Sequence, residues 1–144
     1  MNELIVRIGG TAGQGVISAG DIFSLAVARA GYYVTTYRSF PSEIRGEGQC
    51  SFQLRISEKK ALTVSDLTDV LIAFNEKSVE LNLDALRTGG ILIVDSDEVK
   101  NDFSDKTEFI KYFIPLSTIA ANAGSPRSKN MAALGVLAGL IPQI

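Results

Sequence analysis

The feature that most constrains this fold is a glycine-rich loop between an apolar run and a helical segment. Residues 4–8 are apolar apart from Arg7 and rich in β-branched side chains, which predicts a buried strand. The next seven residues, 9–15, contain four glycines and are called the glycine loop below. From residue 16 to 29 the apolar residues recur at helical spacing. This order directs backbone N–H groups and a helix N-terminus at one point, where an anion can be held.

The rest of the pattern predicts one α/β domain over residues 1–144. Gly31 is expected to end the first helix, and a short helical piece is expected near residues 65–68. Further strands are predicted at 32–37, 50–57, 70–74, 91–94 and 111–116, and further helices at 75–86 and 130–140. The alternation from Cys50 to Ser57 is typical of an antiparallel or edge strand. We therefore predict a three-layer α/β/α fold around a Rossmann-like mixed, mostly parallel sheet.

Charge and hydropathy exclude several classes of function. The chain has 14 basic and 16 acidic side chains, so its net charge of −2 offers no bulk attraction for nucleic acid. No apolar run reaches the roughly 20 residues that span a bilayer, and the first residues do not form a secretion signal. We expect a cytoplasmic protein that contacts neither nucleic acid nor membrane.

The scarcity of histidine and cysteine limits the chemistry further. The sequence has no histidine, the commonest general base and metal ligand. The single cysteine, Cys50, cannot supply the four thiolates of an iron–sulfur cluster, and its place in an alternating strand predicts a buried apolar residue. Asp95 and Asp97 are interpreted as turn formers. We therefore predict no metal site and no catalytic residue in this chain, so that any redox centre belongs to other chains or domains.

Three interpretations of the glycine loop can be compared. A Walker A loop requires a lysine after its last glycine, whereas Val16 follows Gly15 here. The dinucleotide fingerprint Gly-x-Gly-x-x-Gly/Ala is matched from Gly13 except at its last position, which is Ser18. The acidic residue expected after the second strand is missing, but Arg38 there suits a 2′-phosphate, so an NADP-binding domain stays an alternative. The third interpretation is a loop that only permits close packing or partner contacts.

Three segments together resemble the γ subunit, or γ domain, of the 2-oxoacid:ferredoxin oxidoreductases. They are 9–16 (Gly-Gly-Thr-Ala-Gly-Gln-Gly-Val), 40–46 (Phe-Pro-Ser-Glu-Ile-Arg-Gly) and 130–135 (Asn-Met-Ala-Ala-Leu-Gly). The family pattern pairs a Gly-x-Gly-Gly-Gln-Gly-Val loop with a Gly-Pro-Glu-x-Arg-Gly-Gly segment. The resemblance covers essentially the whole chain.

The resemblance implies a multi-component enzyme that decarboxylates a 2-oxoacid such as pyruvate or 2-oxoglutarate, forms acyl-CoA and reduces ferredoxin. Thiamine pyrophosphate, Mg and [4Fe-4S] clusters would lie in the α, β and ferredoxin-like partners, within an oligomer. This chain would be a non-redox γ component, inactive alone, or else a pure assembly module. Because some γ domains are fused ahead of α domains, the apolar end of the sequence suggests an excised domain.

The candidate site residues follow from the two loops. Gly13, Gln14 and Gly15 are predicted to contact coenzyme A or a partner subunit, because glycines allow backbone approach and Gln14 both donates and accepts hydrogen bonds. Glu43, Arg45 and Gly46 are predicted to contribute to the same contacts, or Glu43 and Arg45 to pair with each other. Near the C-terminus, Arg127 and Lys129 are expected to be solvated or at an interface, and Asn130 to cap the last helix.

Overall fold

A computed structural model describes residues 2–40 and 48–142, and in this part of the chain four helices surround one six-stranded sheet. The strands are β1 (Glu3–Thr11), β2 (Tyr33–Ser39), β3 (Gln49–Ser57), β4 (Thr68–Ala73), β5 (Leu86–Asp95) and β6 (Ile110–Ile114). The helices are α1 (Val16–Arg29), α2 (Glu76–Asn82), α3 (Leu116–Asn122) and α4 (Lys129–Leu140), with a short 3-10 helix at Leu83–Ala85. The predicted α/β class and mixed sheet are confirmed.

The strand order is β2-β3-β1-β4-β5-β6. Strands β1, β4, β5 and β6 are parallel neighbours, whereas β3 lies antiparallel between β1 and β2, as its alternating sequence predicts. The chain therefore crosses from β1 through α1 to β2, which runs parallel to β1. The two strands are not neighbours, because β3 lies between them. The later strands β4 to β6 lie on the opposite side of β1, which makes the boundary between β1 and β4 the point where the winding reverses.

Two apolar clusters hold the layers together. On one face of the sheet, α1 and α4 pack against alternate residues of β1 and β3, including Ile8, Phe52 and Leu54. Gly20 brings α1 so near that an added Cβ would lie 2.2 Å from the Phe52 ring. On the other face, α2 packs over β4 and β5, with Val79 and other buried side chains. The predicted buried face of β3 is confirmed, with Cys50 only 7% exposed.

The face of β2 and β3 that α1 does not cover is covered by an extended segment, residues 61–65. The helical piece predicted near residues 65–68 is wrong. Side chains of the sheet donate to its alternate carbonyls: Thr35 Oγ1 to Ala61 (2.8 Å), Arg55 Nη1 to Thr63 (2.6 Å) and Gln53 Nε2 to Ser65 (2.6 Å). Because these carbonyls accept from side chains of the sheet, they do not accept from the backbone N–H four residues later, as they would in a helix. Gln53 also accepts a hydrogen bond from Arg7, whose Nε lies 3.0 Å from Gln53 Oε1. Burial lowers the pKa of the Arg7 guanidinium, and the nearby charge of Asp66 opposes this effect.

Other boundaries differ because tertiary pairing overrides local signals. Strand β5 begins at Leu86 and runs through Gly89 and Gly90, which were expected to precede it; a register shift against β4 accommodates them. Helix α3, which follows Pro115, is absent from the sequence prediction. In the described ranges, no helix has the length and hydropathy needed to cross a membrane.

Candidate functional site

The glycine loop lies at the carboxyl edge of the sheet, where β1 ends beside β4. Backbone contacts fix this position: Phe74 N, just after β4, donates to Gly9 O at 2.9 Å, and Ala12 N donates to Gly48 O at 2.9 Å. In open α/β sheets, ligands bind outside the carboxyl ends of the strands, at the point where the winding reverses. The loop therefore occupies the position in this fold where a binding site is expected.

Gly13 and Gly15 both have the left-handed backbone that favours glycine, with φ of +93° and +79°. Among residues 2–40 and 48–142, an added Cβ at Gly13 would meet nothing within 4 Å, and Gly13 is exposed. Gly15 is the N-cap of α1 and has no side chain with which to cap the first turn, and that turn contains no acidic residue. Among the described residues, neither the N-cap nor the first turn of α1 thus supplies an acidic or capping side chain to the positive end of its dipole.

The Gln14 side chain folds back onto its own loop. Its Oε1 accepts hydrogen bonds from Thr11 N (2.7 Å) and from Asn75 Nδ2 (3.3 Å). Asn75 Nδ2 also donates to Thr11 Oγ1 at 3.0 Å, and Asn75 Oδ1 caps α2 by accepting from Ser78 N at 2.8 Å. The acceptor end of Gln14 is therefore engaged within the loop, and its amide nitrogen is the end available to a ligand.

Asn75 connects the glycine loop to α2, and its two roles can be separated by substitution. We expect Asn75→Ala to lower the free energy of unfolding by about 2 kcal/mol, because it removes both the cap and the bonds to the loop. Asn75→Asp keeps the cap oxygen and is expected to lose about half as much. Chemical denaturation measures both values. Equal losses would show that the cap contributes nothing.

Asn130 holds the other side of the loop. Its Nδ2 donates to Gly15 O at 3.2 Å, and an added Cβ on Gly15 would lie 2.4 Å from the same nitrogen. The prediction that Asn130 caps α4 is wrong, since the helix begins at Lys129 with Ser128 as its N-cap. Asn130 instead lies in the first turn, where its side chain reaches across to α1. The N-termini of α1 and α4 therefore meet at Gly15.

Asp95, at the end of β5, is fully buried and supports the same region. As predicted for a turn former, its Oδ1 accepts from Asp97 N at 3.1 Å. Its Oδ2 accepts from Ser117 Oγ at 2.6 Å and lies 3.5 Å from Lys129 Nζ. Of the two expectations for Lys129, solvation is wrong, because its side chain is only 10% exposed and its ammonium lies 5.5 Å from the centre of the Phe74 ring; a place at an interface stays a prediction.

Two open clefts flank the glycine loop, and Gly13 lines both. One, the basic cleft, has a volume of about 460 Å³ and includes Gly13, Gln14, Glu98, Ser117, Arg127 and Lys129. The other, the apolar cleft, has a volume of about 300 Å³ and includes Gly13, Gly15, Ile17, Phe40 and Cys50. Burial raises the pKa of the Cys50 thiol. Gly13 is thus the part of the loop that a ligand in either cleft would touch.

The remaining candidates do not join this site in the described residues. Arg38 forms an ion pair with Asp21 of α1, and β3 separates its strand from β1, whereas a dinucleotide fold has the second strand beside the first. Glu43, Arg45 and Gly46 lie outside the described residues. Within 2–40 and 48–142, no group of three or more potential ligands from histidine, cysteine, aspartate and glutamate could hold a metal ion.

These features define an open, doubly wound α/β domain with the glycine loop at the carboxyl edge of its sheet. Residues 5–143 match the family described as pyruvate ferredoxin/flavodoxin oxidoreductase. The chain is 33% identical to subunit KorC of the 2-oxoglutarate synthase of Methanothermobacter marburgensis, over 92% of the chain and 74% of KorC. The chain belongs to the pyruvate ferredoxin/flavodoxin oxidoreductase family.

Longer relatives contain this domain as a part. The chain is 29% identical to 2-oxoglutarate oxidoreductase subunit KorA of Mycobacterium tuberculosis and spans 25% of its length. A solved 2-oxoglutarate:ferredoxin oxidoreductase from Magnetococcus marinus, with 2-oxoglutarate, coenzyme A and succinyl-CoA bound, aligns with a TM-score of 0.87 and 38% identity, over 96% of this chain and 24% of that one. The γ subunit of a keto/oxoacid ferredoxin oxidoreductase from Geobacter sulfurreducens has the same fold, with a TM-score of 0.85 and 24% identity. The alignment covers 100% of this chain and 79% of that subunit.

Proposed function

We propose that this chain is the γ component of a multi-subunit enzyme that oxidatively decarboxylates a 2-oxoacid to acyl-CoA and reduces ferredoxin. Family membership supports the proposal, as does the 38% identity to a solved enzyme whose description includes 2-oxoglutarate and coenzyme A. The partners would be thiamine-binding α and β subunits or domains and a ferredoxin-like one, assembled as an oligomer in the cytoplasm. This chain would be inactive alone.

The chain's own chemistry fits a supporting role. With one cysteine and no histidine, it lacks the donors for a [4Fe-4S] cluster and the commonest general base. In the complete enzyme, thiamine pyrophosphate with Mg would supply carbanion stabilisation, and the clusters would supply electron transfer. The residues of this chain would position coenzyme A or a neighbouring subunit and supply no reacting group.

Within that role, we propose that the glycine loop and the loop containing Glu43, Arg45 and Gly46 flank the active site or the path of coenzyme A. The observation that carries this proposal is the exposed, left-handed Gly13 between two clefts at the carboxyl edge of the sheet. A backbone without a side chain there lets a ligand or a partner surface approach the loop closely.

Substitution at Gly13 tests this proposal, because Gly31 is a matched control. Both glycines have φ of +93°, and an added Cβ would meet nothing at either one. Valine at either position is therefore expected to cost a similar amount of stability, on the order of 1–2 kcal/mol. Only Gly13→Val is expected to lower 2-oxoacid- and CoA-dependent reduction of ferredoxin, by at least about tenfold, because its side chain would fill the approach to the loop.

The assay uses the complex reconstituted with its companion subunits, and gel filtration reports assembly. Equal activity of the Gly13→Val and Gly31→Val complexes would contradict a role for the loop in CoA access. Loss of assembly in Gly13→Val alone would indicate the alternative, a module that serves only subunit contacts. Tight NADP binding by the wild-type chain would favour the dinucleotide alternative over the proposed function.

A further inference from the structure

We propose that β6, the strand at one edge of the sheet, is an interaction surface that pairs with β6 of a second copy of this chain. Within residues 2–40 and 48–142, β6 pairs with β5 on one side, and no strand pairs with its other side. An unpaired edge offers a row of backbone N–H and C=O groups to another extended strand. The proposal does not depend on the function proposed above.

The first observation is that the side chains of β6 are apolar and exposed. Ile110, Tyr112 and Phe113 are 50%, 43% and 42% exposed, although the strand is only five residues long. Successive side chains point to opposite faces of a strand, so residues 110 and 112 lie on one face and residue 113 on the other. Apolar surface therefore flanks the open edge on both faces of the sheet.

The second observation is that the charged residue of β6 does not protect this edge. Natural edge strands discourage pairing with charged side chains, lysine above all. The Lys111 side chain is instead held by the loop before β6, because its Nζ donates to Phe103 O at 2.8 Å and to Lys106 O at 2.9 Å. At the opposite edge of the sheet, Arg38 of β2 keeps a side chain that is 47% exposed. We therefore assign the pairing to β6 and not to β2.

The third observation is that the sequence of β6 is complementary to itself. Two copies related by a two-fold axis perpendicular to the sheet pair in an antiparallel manner. With Tyr112 on the axis, all five residues are paired: Ile110 lies opposite Ile114 of the second copy, and Lys111 lies opposite Phe113. Centring the pair on Lys111 would place two lysines opposite each other, which is destabilising. The register that pairs the whole strand is thus the one in which no like charges meet.

Analytical ultracentrifugation of the purified chain tests the proposal. We expect the wild-type chain to form dimers with a Kd of about 1–100 µM, as suits a small interface. Tyr112→Lys is expected to weaken dimerisation at least about tenfold, because it removes two apolar side chains and places two like charges beside the axis. Tyr37→Lys is the matched control, since Tyr37 lies in the other edge strand and is 54% exposed. This variant is expected to dimerise as the wild type does.

Disulfide cross-linking tests the register and does not require the charged variant to fold. The natural cysteine is first removed by Cys50→Ser. In that background, Tyr112→Cys places two thiols opposite each other across the axis, so oxidation is expected to give a covalent dimer. Tyr37→Cys is expected to give none.

Two results would overturn the proposal. The first is a wild-type chain that stays monomeric at about 1 mM, well above the expected Kd. Pairing of β6 with a strand of a companion subunit alone would give this result. The second is a dimer that residue 112 does not control, shown by equal effects of the lysine variants at 112 and 37 or by equal cross-linking through the two positions.

Discussion

Replacing Gly20 by valine is expected to lower the free energy of unfolding by about 3 kcal/mol. Gly20 lies on the buried face of α1, and an added Cβ would lie 2.2 Å from two atoms of the Phe52 ring. Phe52 is 1% exposed in the centre of the core, so its ring has no free space into which it could move. The helix and the sheet would have to separate, which disturbs the packing of the neighbouring layers.

Gly135 in α4 is the matched control for this substitution. It also lies within a helix, but an added Cβ there meets nothing within 4 Å. Since valine and glycine differ little in helix propensity, Gly135→Val is expected to change stability by no more than about 0.5 kcal/mol. Urea denaturation compares the two variants. Similar stability of both would mean that the close approach of α1 to Phe52 has no energetic importance.

The second large effect is expected from Lys129→Met, which leaves the Asp95 carboxylate fully buried without its cation. Removing one partner of a buried pair costs several kcal/mol, and we expect a loss of about 3 kcal/mol. The estimate is at the lower end of the usual range because Asp95 keeps its bonds to Ser117 and Asp97. The methionine side chain itself is expected to pack acceptably against the Phe74 ring.

Adding Asp95→Asn to the same chain is expected to restore most of this stability. The asparagine keeps an oxygen that accepts from Ser117 and removes the unpaired charge. A double-mutant cycle by urea denaturation measures the coupling. If the double variant is as unstable as Lys129→Met, the loss comes from the packing of the lysine stem instead of from the ion pair.

Much of the fold follows from local patterns. A short apolar run identifies β1, and periodicity identifies α1 and the alternating β3, because in these two the side chains that face the core recur at the period of the element itself. The predicted end of α1 at Gly31 agrees with its left-handed backbone, φ +93°. The extended segment at 61–65 could not be predicted, because its carbonyls are bound by side chains of β2 and β3 and no local period records such contacts.

The candidate site also combines a feature that local patterns predict with contacts between distant residues that they do not predict. The position of the glycine loop at the carboxyl edge follows from the order strand, loop, helix. The burial of Lys129 could not be predicted, since its partner Asp95 is 34 residues away in the sequence and a lysine before a helix is ordinarily solvated. The contact of Asn130 with Gly15 spans 115 residues. Its only sequence signal was the resemblance of the segment that begins at Asn130 to a family motif.

The insertion of β3 between β1 and β2 has a consequence for the order in which the sheet can form. In a simple β-α-β unit, the two parallel strands can pair as soon as the crossover helix has been made. Here the first 39 residues contain β1, α1 and β2, but β1 and β2 do not pair with each other. Each of them pairs with β3, which comes later in the sequence. Native pairing of β1 and β2 therefore requires residues 49–57, so we expect these three strands to form together once β3 has left the ribosome.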